Sequence, residues 1–313
     1  MLKTVFLLIT TGASVFWPIS PDLPLAGSVP TLISARDESR ITNGSALDPF
    51  FRQLAATEGG TRTRTLRIIQ YGDSHTKADL FTGAVRHNLL RDFGGEVPRF
   101  VKQTTYRPSS AGGQVIAFQP LGINGARAKR LSDMSQSPGF LQSLSENKPD
   151  LIILAYGTNE VTDKDWTVES YSQMLVGIIT RLRSAAPEAS FLILGPPDRS
   201  VSGSGGWATA ARMPLLLEAQ RRAAFAGGAA FWSVYDAMGG PGSMNVWVAR
   251  GLGRLDHVHF TAVGYSKLAA LFYADLINAY RGARSSSPSS GTRTETGLDL
   301  RVMRGVPVSK KPD

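Results

Sequence analysis

The chain has 313 residues and no cysteine. Disulfides are therefore excluded, and so is any cysteine-ligated metal site. No Gly-x-Ser-x-Gly elbow occurs, which argues against the usual α/β-hydrolase nucleophile turn. Neither a phosphate-binding Gly-x-x-x-x-Gly-Lys-Ser/Thr loop nor a Gly-x-Gly-x-x-Gly fingerprint occurs, so a nucleotide cofactor has no support and no cofactor is expected. A long apolar run is lacking too. The apolar stretch from Val5 to Val15 is interrupted by Thr10, Thr11 and Gly12 and stopped near Pro18, too short for a stable membrane span.

The formal charge of +9 raises the question of nucleic acid, but its distribution answers it. From Arg281 to Asp313 seven Lys/Arg stand against three Asp/Glu, and no helix carries a dense basic stripe. The aromatic and basic interleaving of nucleic-acid binders is missing. A mild attraction to polyanionic envelope polymers is the more economical reading.

What is present divides the chain into four parts. Residues 1–27 begin Met1-Leu2-Lys3 and continue apolar. They read as a secretory signal peptide or N-terminal anchor, which in a bacterium implies a periplasmic or secreted protein. Residues 28–62 read as an irregular lead-in, with one short helix over 46–56 presenting Phe50, Phe51 and Leu54. Residues 63–282 read as the folded domain, and 283–313, rich in Ser, Arg, Thr and Gly, as a disordered polar tail.

Within the folded domain short apolar runs alternate with amphipathic stretches, as α/β folds with a parallel sheet require. Strands are expected at 66–71, 115–121, 151–156, 191–194 and 230–234. Helices are expected at 79–91, 140–146, 168–185, 214–226 and 262–280. Leu151-Ile152-Ile153-Leu154 is continuously apolar, as in a strand covered on both faces. Val168, Tyr171, Leu175, Ile178 and Leu182 fall on one helical face, and Thr261 suits an N-cap. The expected fold class is a three-layer α/β/α sandwich around a five-stranded parallel sheet. Stretches 200–207 and 239–255 read as loops, with Trp207, Asn245 and Trp247 available either to stack sugar rings or to plug the core.

Four blocks carry chemistry, in this order: Gly72-Asp73-Ser74-His75, Gly122-Ile123-Asn124-Gly125-Ala126, Gly157-Thr158-Asn159-Glu160 and Asp256-His257-Val258-His259-Phe260. The first follows an expected strand, so Ser74 stands where parallel sheets place ligands. A serine hydroxyl needs a base within hydrogen-bond reach. His259 is the candidate base, and Asp256, three residues earlier, the candidate partner for its far nitrogen. The Ser74 N–H, the Gly125 N–H and the Asn159 side-chain amide are candidate oxyanion donors. Gly122 competes with Gly125, and the Asn-Gly placement favours Gly125. Asp73 reads as structural, through Lys77 or the turn; Glu160 reads as a cap for its loop; His87 reads as a surface residue. Read as an extended segment, His257-Val258-His259 points both rings one way. With Asp73 and His75 that leaves a metal-dependent phosphoesterase open, although the Gly-Asn-His-Asp/Glu block expected after it lacks its histidine here.

These four ordered blocks resemble the SGNH branch of the GDSL esterases and lipases, whose four letters fall on Ser74, Gly125, Asn159 and His259. The wording Gly-Asp-Ser-His-Thr, Gly-Ile-Asn-Gly-Ala and Val-His-Phe-Thr is most similar to bacterial carbohydrate O-acetylesterases, peptidoglycan enzymes among them. The resemblance runs over about 66–279. It implies a flavodoxin-like SGNH hydrolase fold and a catalytic set of Ser74, Asp256 and His259, with no metal. The implied partner is an acetylated polysaccharide or glycan, not nucleic acid. It leaves an O-acyltransferase and a non-catalytic glycan binder as alternatives. The peptidoglycan enzymes in that group can carry a β-rich carbohydrate-binding domain between the first two blocks. Here the 51 residues from Ser74 to Gly125 leave no room for it, so substrate choice falls to loops.

Overall fold

The computed structural model describes residues 39–94 and 115–286. The N-terminal segment 1–27, the first part of the lead-in and the tail beyond 286 lie outside the described residues.

A one-turn 3-10 helix at Gly44–Leu47 leads into α1 (Asp48–Glu58) and β1 (Leu66–Gly72), then α2 (Ser74–Lys77), α3 (Leu80–Phe93) and β2 (Ile116–Gly122). Next come α4 (Ala128–Met134), α5 (Pro138–Asn147), β3 (Leu151–Ala155), α6 (Val168–Ala185) and β4 (Ser190–Gly195). A hairpin of β5 (Ser200–Gly203) and β6 (Gly206–Thr209) follows, then α7 (Met213–Ala226), β7 (Ala230–Ser233), α8 (Val234–Met238), α9 (Ser243–Ala249) and α10 (Ala262–Ser286).

Among the described residues, five strands form one sheet in the order β2-β1-β3-β4-β7, all pairs parallel. Alternate side chains of β1 enter different cores. Leu66 and Ile68 join the cluster with α1, α3 and α10; Ile69 and Tyr71 join the cluster with α6 and α7. This is the two-sided burial expected of a parallel sheet flanked by helices. Leu151, Ile152, Ile153 and Leu154 are all buried, and α6 starts on a reciprocal capping box between Thr167 and Ser170. The chain leaves β1 for β2 on one side and places β3 on the other, so the sheet's switch point lies beside β1.

The lead-in is less irregular than its composition predicts. Thr42 bridges the outer strand β7, with Thr42 N–H donating to the Phe231 carbonyl at 2.9 Å and Phe231 N–H returning to Thr42 at 3.0 Å. Leu47, Phe50 and Leu54 are fully buried, and the Phe51 ring packs 5.8 Å from Tyr280. Folded structure therefore begins well before residue 63, because α1 closes one face of the sheet. At the other end α10 runs on to Ser286, past the expected boundary at 282, with Arg284 paired to Glu58 of α1. The stretches read as loops also contain structure: 200–207 lies in the β5–β6 hairpin, and α9 occupies part of 239–255. No helix among the described residues is long and apolar enough to cross a membrane.

Candidate active site

The site is assembled by strand ends. Gly72 of β1 stands level with Gly122 of β2 and with Ala155 of β3. The segments that follow these three residues therefore emerge together at the carboxyl edge of the sheet. Asp73 N-caps α2 by accepting from the His75 N–H at 2.9 Å. That leaves Ser74 as the first helical residue, whose N–H has no partner within the helix.

The second segment distinguishes its two glycines. A Cβ on Gly122 would stand 2.1 Å from the Lys77 nitrogen, whereas one on Gly125 would meet nothing within 4 Å. Gly122 is thus fixed by packing against α2. Gly125 has φ +70° in a turn closed by Ala126 N–H donating to the Ile123 carbonyl at 3.0 Å, a conformation that favours glycine.

The third segment is sewn to the second by Glu160. Its buried carboxylate accepts from the Ala128 N–H at 2.7 Å, the Gly157 N–H at 3.1 Å and the Tyr171 hydroxyl at 3.2 Å. Burial raises the Glu160 pKa, against the pull of the Ala128 N–H. Asn159 adds its own tie, Nδ2 donating to the Ala126 carbonyl at 3.0 Å. One amide hydrogen of Asn159 is engaged there, and the amide carries two.

The fourth segment is a tight loop, closed by Arg254 N–H to the His259 carbonyl at 2.8 Å. Asp256 Oδ1 accepts from the N–H groups of Val258 and His259, each at 2.9 Å. Its other oxygen lies 2.8 Å from His259 Nδ1. Across the site, His259 Nε2 lies 2.9 Å from Ser74 Oγ. A serine hydroxyl, an imidazole and a carboxylate are thereby joined in the order that lets the hydroxyl lose a proton. Burial works to raise the Asp256 pKa, yet the bonds from the His259 N–H, the His259 ring and the Val258 N–H bring it down to about 2.

His257 departs from expectation. It has φ +54°, so the segment is not extended and the two rings do not share a side. His257 Nδ1 pairs with Asn245 Oδ1 at 2.8 Å, while His259 bridges Ser74 and Asp256. Among the described residues no group of three or more His, Cys, Asp or Glu is arranged to hold a metal. Asp73 takes the second of its two expected structural parts: its carboxylate caps the α2 turn. Burial pushes its pKa up to about 6, with the His75 N–H pulling the other way.

His75, which the sequence offered only to a metal site, and Tyr265 and Arg199, to which it gave no part in the site, help build it. His75 Nδ1 pairs with the Tyr265 hydroxyl at 2.9 Å, and its ring lies 5.1 Å from that of His259. Burial, then the field of His259, pushes the His75 pKa down to about 3, so it is neutral. Tyr265 lies in the first turn of α10, directly after the fourth block; that proximity was its signal. Arg199 follows β4, a fourth strand ending at the same edge, and donates to the Thr158 carbonyl at 2.6 Å.

A pocket of about 40 Å³ opens behind these residues, lined by Asp73, His75, Thr158, Phe260 and Tyr265 among others. It is far smaller than the pockets that enclose whole ligands.

The model of the GDSL-like Lipase/Acylhydrolase family matches residues 71–267, which span all four blocks and more than half of the chain. The chain belongs to this family. It is a carboxylic ester hydrolase of the GDSL type. A solved structure described as "Peptidoglycan O-acetylesterase in action, 5 min" is similar with a TM-score of 0.66 at 23% identity, over 78% of this chain and 99% of that one. An alpha/beta hydrolase enzyme from the metagenome of Lake Arreo, Spain, is similar with a TM-score of 0.50 at 18% identity, over 70% and 98%. These likenesses bear on fold: a parallel sheet flanked by helices, as in SGNH hydrolases. No curated protein matches the chain.

Proposed function

We propose that this GDSL hydrolase is a serine esterase that removes O-acetyl groups from a cell-envelope carbohydrate through an acyl-serine intermediate. The observation that carries the reading is the 2.9 Å approach of Ser74 Oγ to His259 Nε2, with Asp256 at 2.8 Å behind the ring.

Ser74 Oγ attacks the acetyl carbonyl carbon as its proton passes to His259 Nε2. The carbonyl π electrons move onto oxygen, and the Ser74 N–H, the Gly125 N–H and the Asn159 amide receive that charge. Asp256 holds Nδ1–H and stabilises the imidazolium. As the oxyanion collapses, the bond from the acetyl carbon to the sugar oxygen breaks. His259 returns its proton to that oxygen, which leaves as a hydroxyl. Water, deprotonated by His259, then attacks the acetyl-Ser74 carbonyl; the bond from the acetyl carbon to Ser74 Oγ breaks, His259 returns the proton to Oγ, and acetate departs.

The carbohydrate assignment draws support from the block wording. A similar fold in a peptidoglycan O-acetylesterase is consistent with it. Residues 1–27 fit delivery to the periplasm or beyond, where such a polymer would be met.

The test is acetate release from O-acetylated oligosaccharides by the full chain, with Ser74→Ala and His259→Ala as controls. Both variants are expected to lose the activity, and a chelator is expected to leave it intact. Repeating the assay with a large excess of unacetylated glycan separates hydrolysis from transfer. Acetate as the main product supports the esterase; an acetylated acceptor as the main product would replace it with an acyltransferase.

A further inference from the structure

We propose that Trp207, backed by His257, forms a platform for a pyranose ring of the substrate at the rim of the catalytic site. The proposal rests on the carbohydrate-ester reading above. It adds the place where the sugar sits.

The Trp207 and His257 rings stack with centroids 3.9 Å apart and planes 8° from parallel. One face of the indole is covered by the imidazole, yet Trp207 remains 43% exposed. Its solvent exposure therefore falls on the opposite face and the edge. A core plug would be enclosed, as Trp247 is at 5% exposure. Sequence offered both roles for these two tryptophans, and the fold gives one role to each.

The polar edge of the platform follows from its hydrogen bonds. Asn245 Nδ2 donates to the Trp207 carbonyl at 2.8 Å, so Asn245 Oδ1 is the end that faces His257. An oxygen there accepts, which assigns the proton to His257 Nδ1 at 2.8 Å. In the neutral ring His257 Nε2 is then an acceptor. The pair thus offers a flat apolar face beside a hydrogen-bond acceptor. A pyranose has the complementary layout, with C–H groups on its faces and hydroxyl donors around its rim.

Position ties the platform to catalysis. His257 lies between Asp256 and His259 in one tight loop, and its carbonyl accepts from Ser200 N–H of β5 at 3.1 Å. The hairpin carrying Trp207 is thereby strapped to the catalytic turn. The left-handed backbone at His257 is uncommon for a residue with a side chain. It turns His257 away from the catalytic line and onto Trp207. Nothing in the proton transfer from Ser74 needs the His257 ring, which is left to back Trp207.

The test compares kcat and KM on three esters: an O-acetylated xylo-oligosaccharide, an O-acetylated chito-oligosaccharide and nitrophenyl acetate. The proteins are the wild type, Trp207→Ala and Trp207→Phe. Trp207→Ala is expected to lower kcat/KM on the glycan roughly tenfold, mainly through KM. That loss should exceed the loss on the aryl ester by a wide margin. Trp207→Phe, which keeps a flat ring, should recover most of it. Should Trp207→Ala not fold, Trp207→Leu keeps the bulk without the ring and replaces it. Equal losses on glycan and aryl esters would overturn the platform, since they mark a mere strut for the catalytic turn. Unchanged glycan kinetics would overturn it as well. A wild-type enzyme that cleaves the aryl ester and neither glycan would overturn the carbohydrate reading itself and the platform with it. A wild type that cleaves a glycan leaves that reading standing whatever Trp207 does.

Discussion

Ser74 and His259 stand 185 positions apart in the chain, and their side chains meet at 2.9 Å. Two short pieces of backbone make the meeting possible. The α2 turn lifts Ser74 off the end of β1, and the loop closed between Arg254 and His259 presents the imidazole from the start of α10.

Asp256 sets the tautomer of that imidazole. With Nδ1–H held by the carboxylate at 2.8 Å, Nε2 is left to accept the serine proton. Asp256→Asn is expected to lower kcat by ~10⁴, the scale seen when a triad carboxylate becomes an amide. Steady-state kinetics on nitrophenyl acetate reads this directly. A loss of only a few fold would demote Asp256 to a turn former.

In the proposed mechanism Asn159 serves the oxyanion through the hydrogen not given to Ala126. Asn159→Ala should reduce kcat by ~10²–10³ with a smaller change in KM. Thermal unfolding should fall only slightly, because the Glu160 bonds still hold the loop. A large drop in melting temperature with intact kcat would assign Asn159 to loop structure alone.

The two glycines of the second block should separate cleanly. Gly122→Ala drives a Cβ into the Lys77 backbone, which is expected to destabilise the fold or displace α2, visible as a lowered melting temperature. Gly125→Ala meets open space and loses only the backbone freedom of a positive φ, a cost of about 1 kcal/mol. Its effect should be read in kcat. The reverse pattern would move the oxyanion assignment to Gly122.

Asp73 supplies a pH signature. Its folded pKa is raised by burial to about 6, above the ordinary 3.8. The native state therefore holds this proton more tightly, and ionised Asp73 weakens the fold above pH 6. From this group alone, stability grows as pH falls from 6 toward 4. Asp73→Asn removes the penalty while keeping an oxygen for the His75 N–H. At pH 8 it should be more stable than the wild type by an amount on the order of 2–3 kcal/mol, read as a higher unfolding temperature. The gain should vanish by pH 4. Lower stability of the variant at pH 8 would contradict the sign.

Much of the scaffold was legible because burial leaves a mark on sequence. The apolar run of β3 and the single face of α6 each follow from the solvent that their side chains avoid. α6 spans the same residues expected from its pattern, 168–185. The N-terminal segment around α1 was harder, since its fixing contacts come from β7 and α10 at the far end of the chain. The β5–β6 hairpin was invisible for another reason. Its strands are four residues each and rich in Ser and Gly, below the length at which alternation can be read. The site showed the same division. Block order sufficed to name Ser74, Gly125, Asn159, Asp256 and His259 as candidates. The left-handed turn at His257 and the pairing of His75 with Tyr265 depend on three-dimensional closure, and no spacing rule reports that.

The most direct measurement is the site of acylation. Wild-type protein is mixed with excess nitrophenyl acetate, quenched in acid and mapped by peptide mass spectrometry. One acetyl group on Ser74, absent from Ser74→Ala, is the predicted result. An acetyl group trapped on a different residue, or full turnover by Ser74→Ala, would contradict the account.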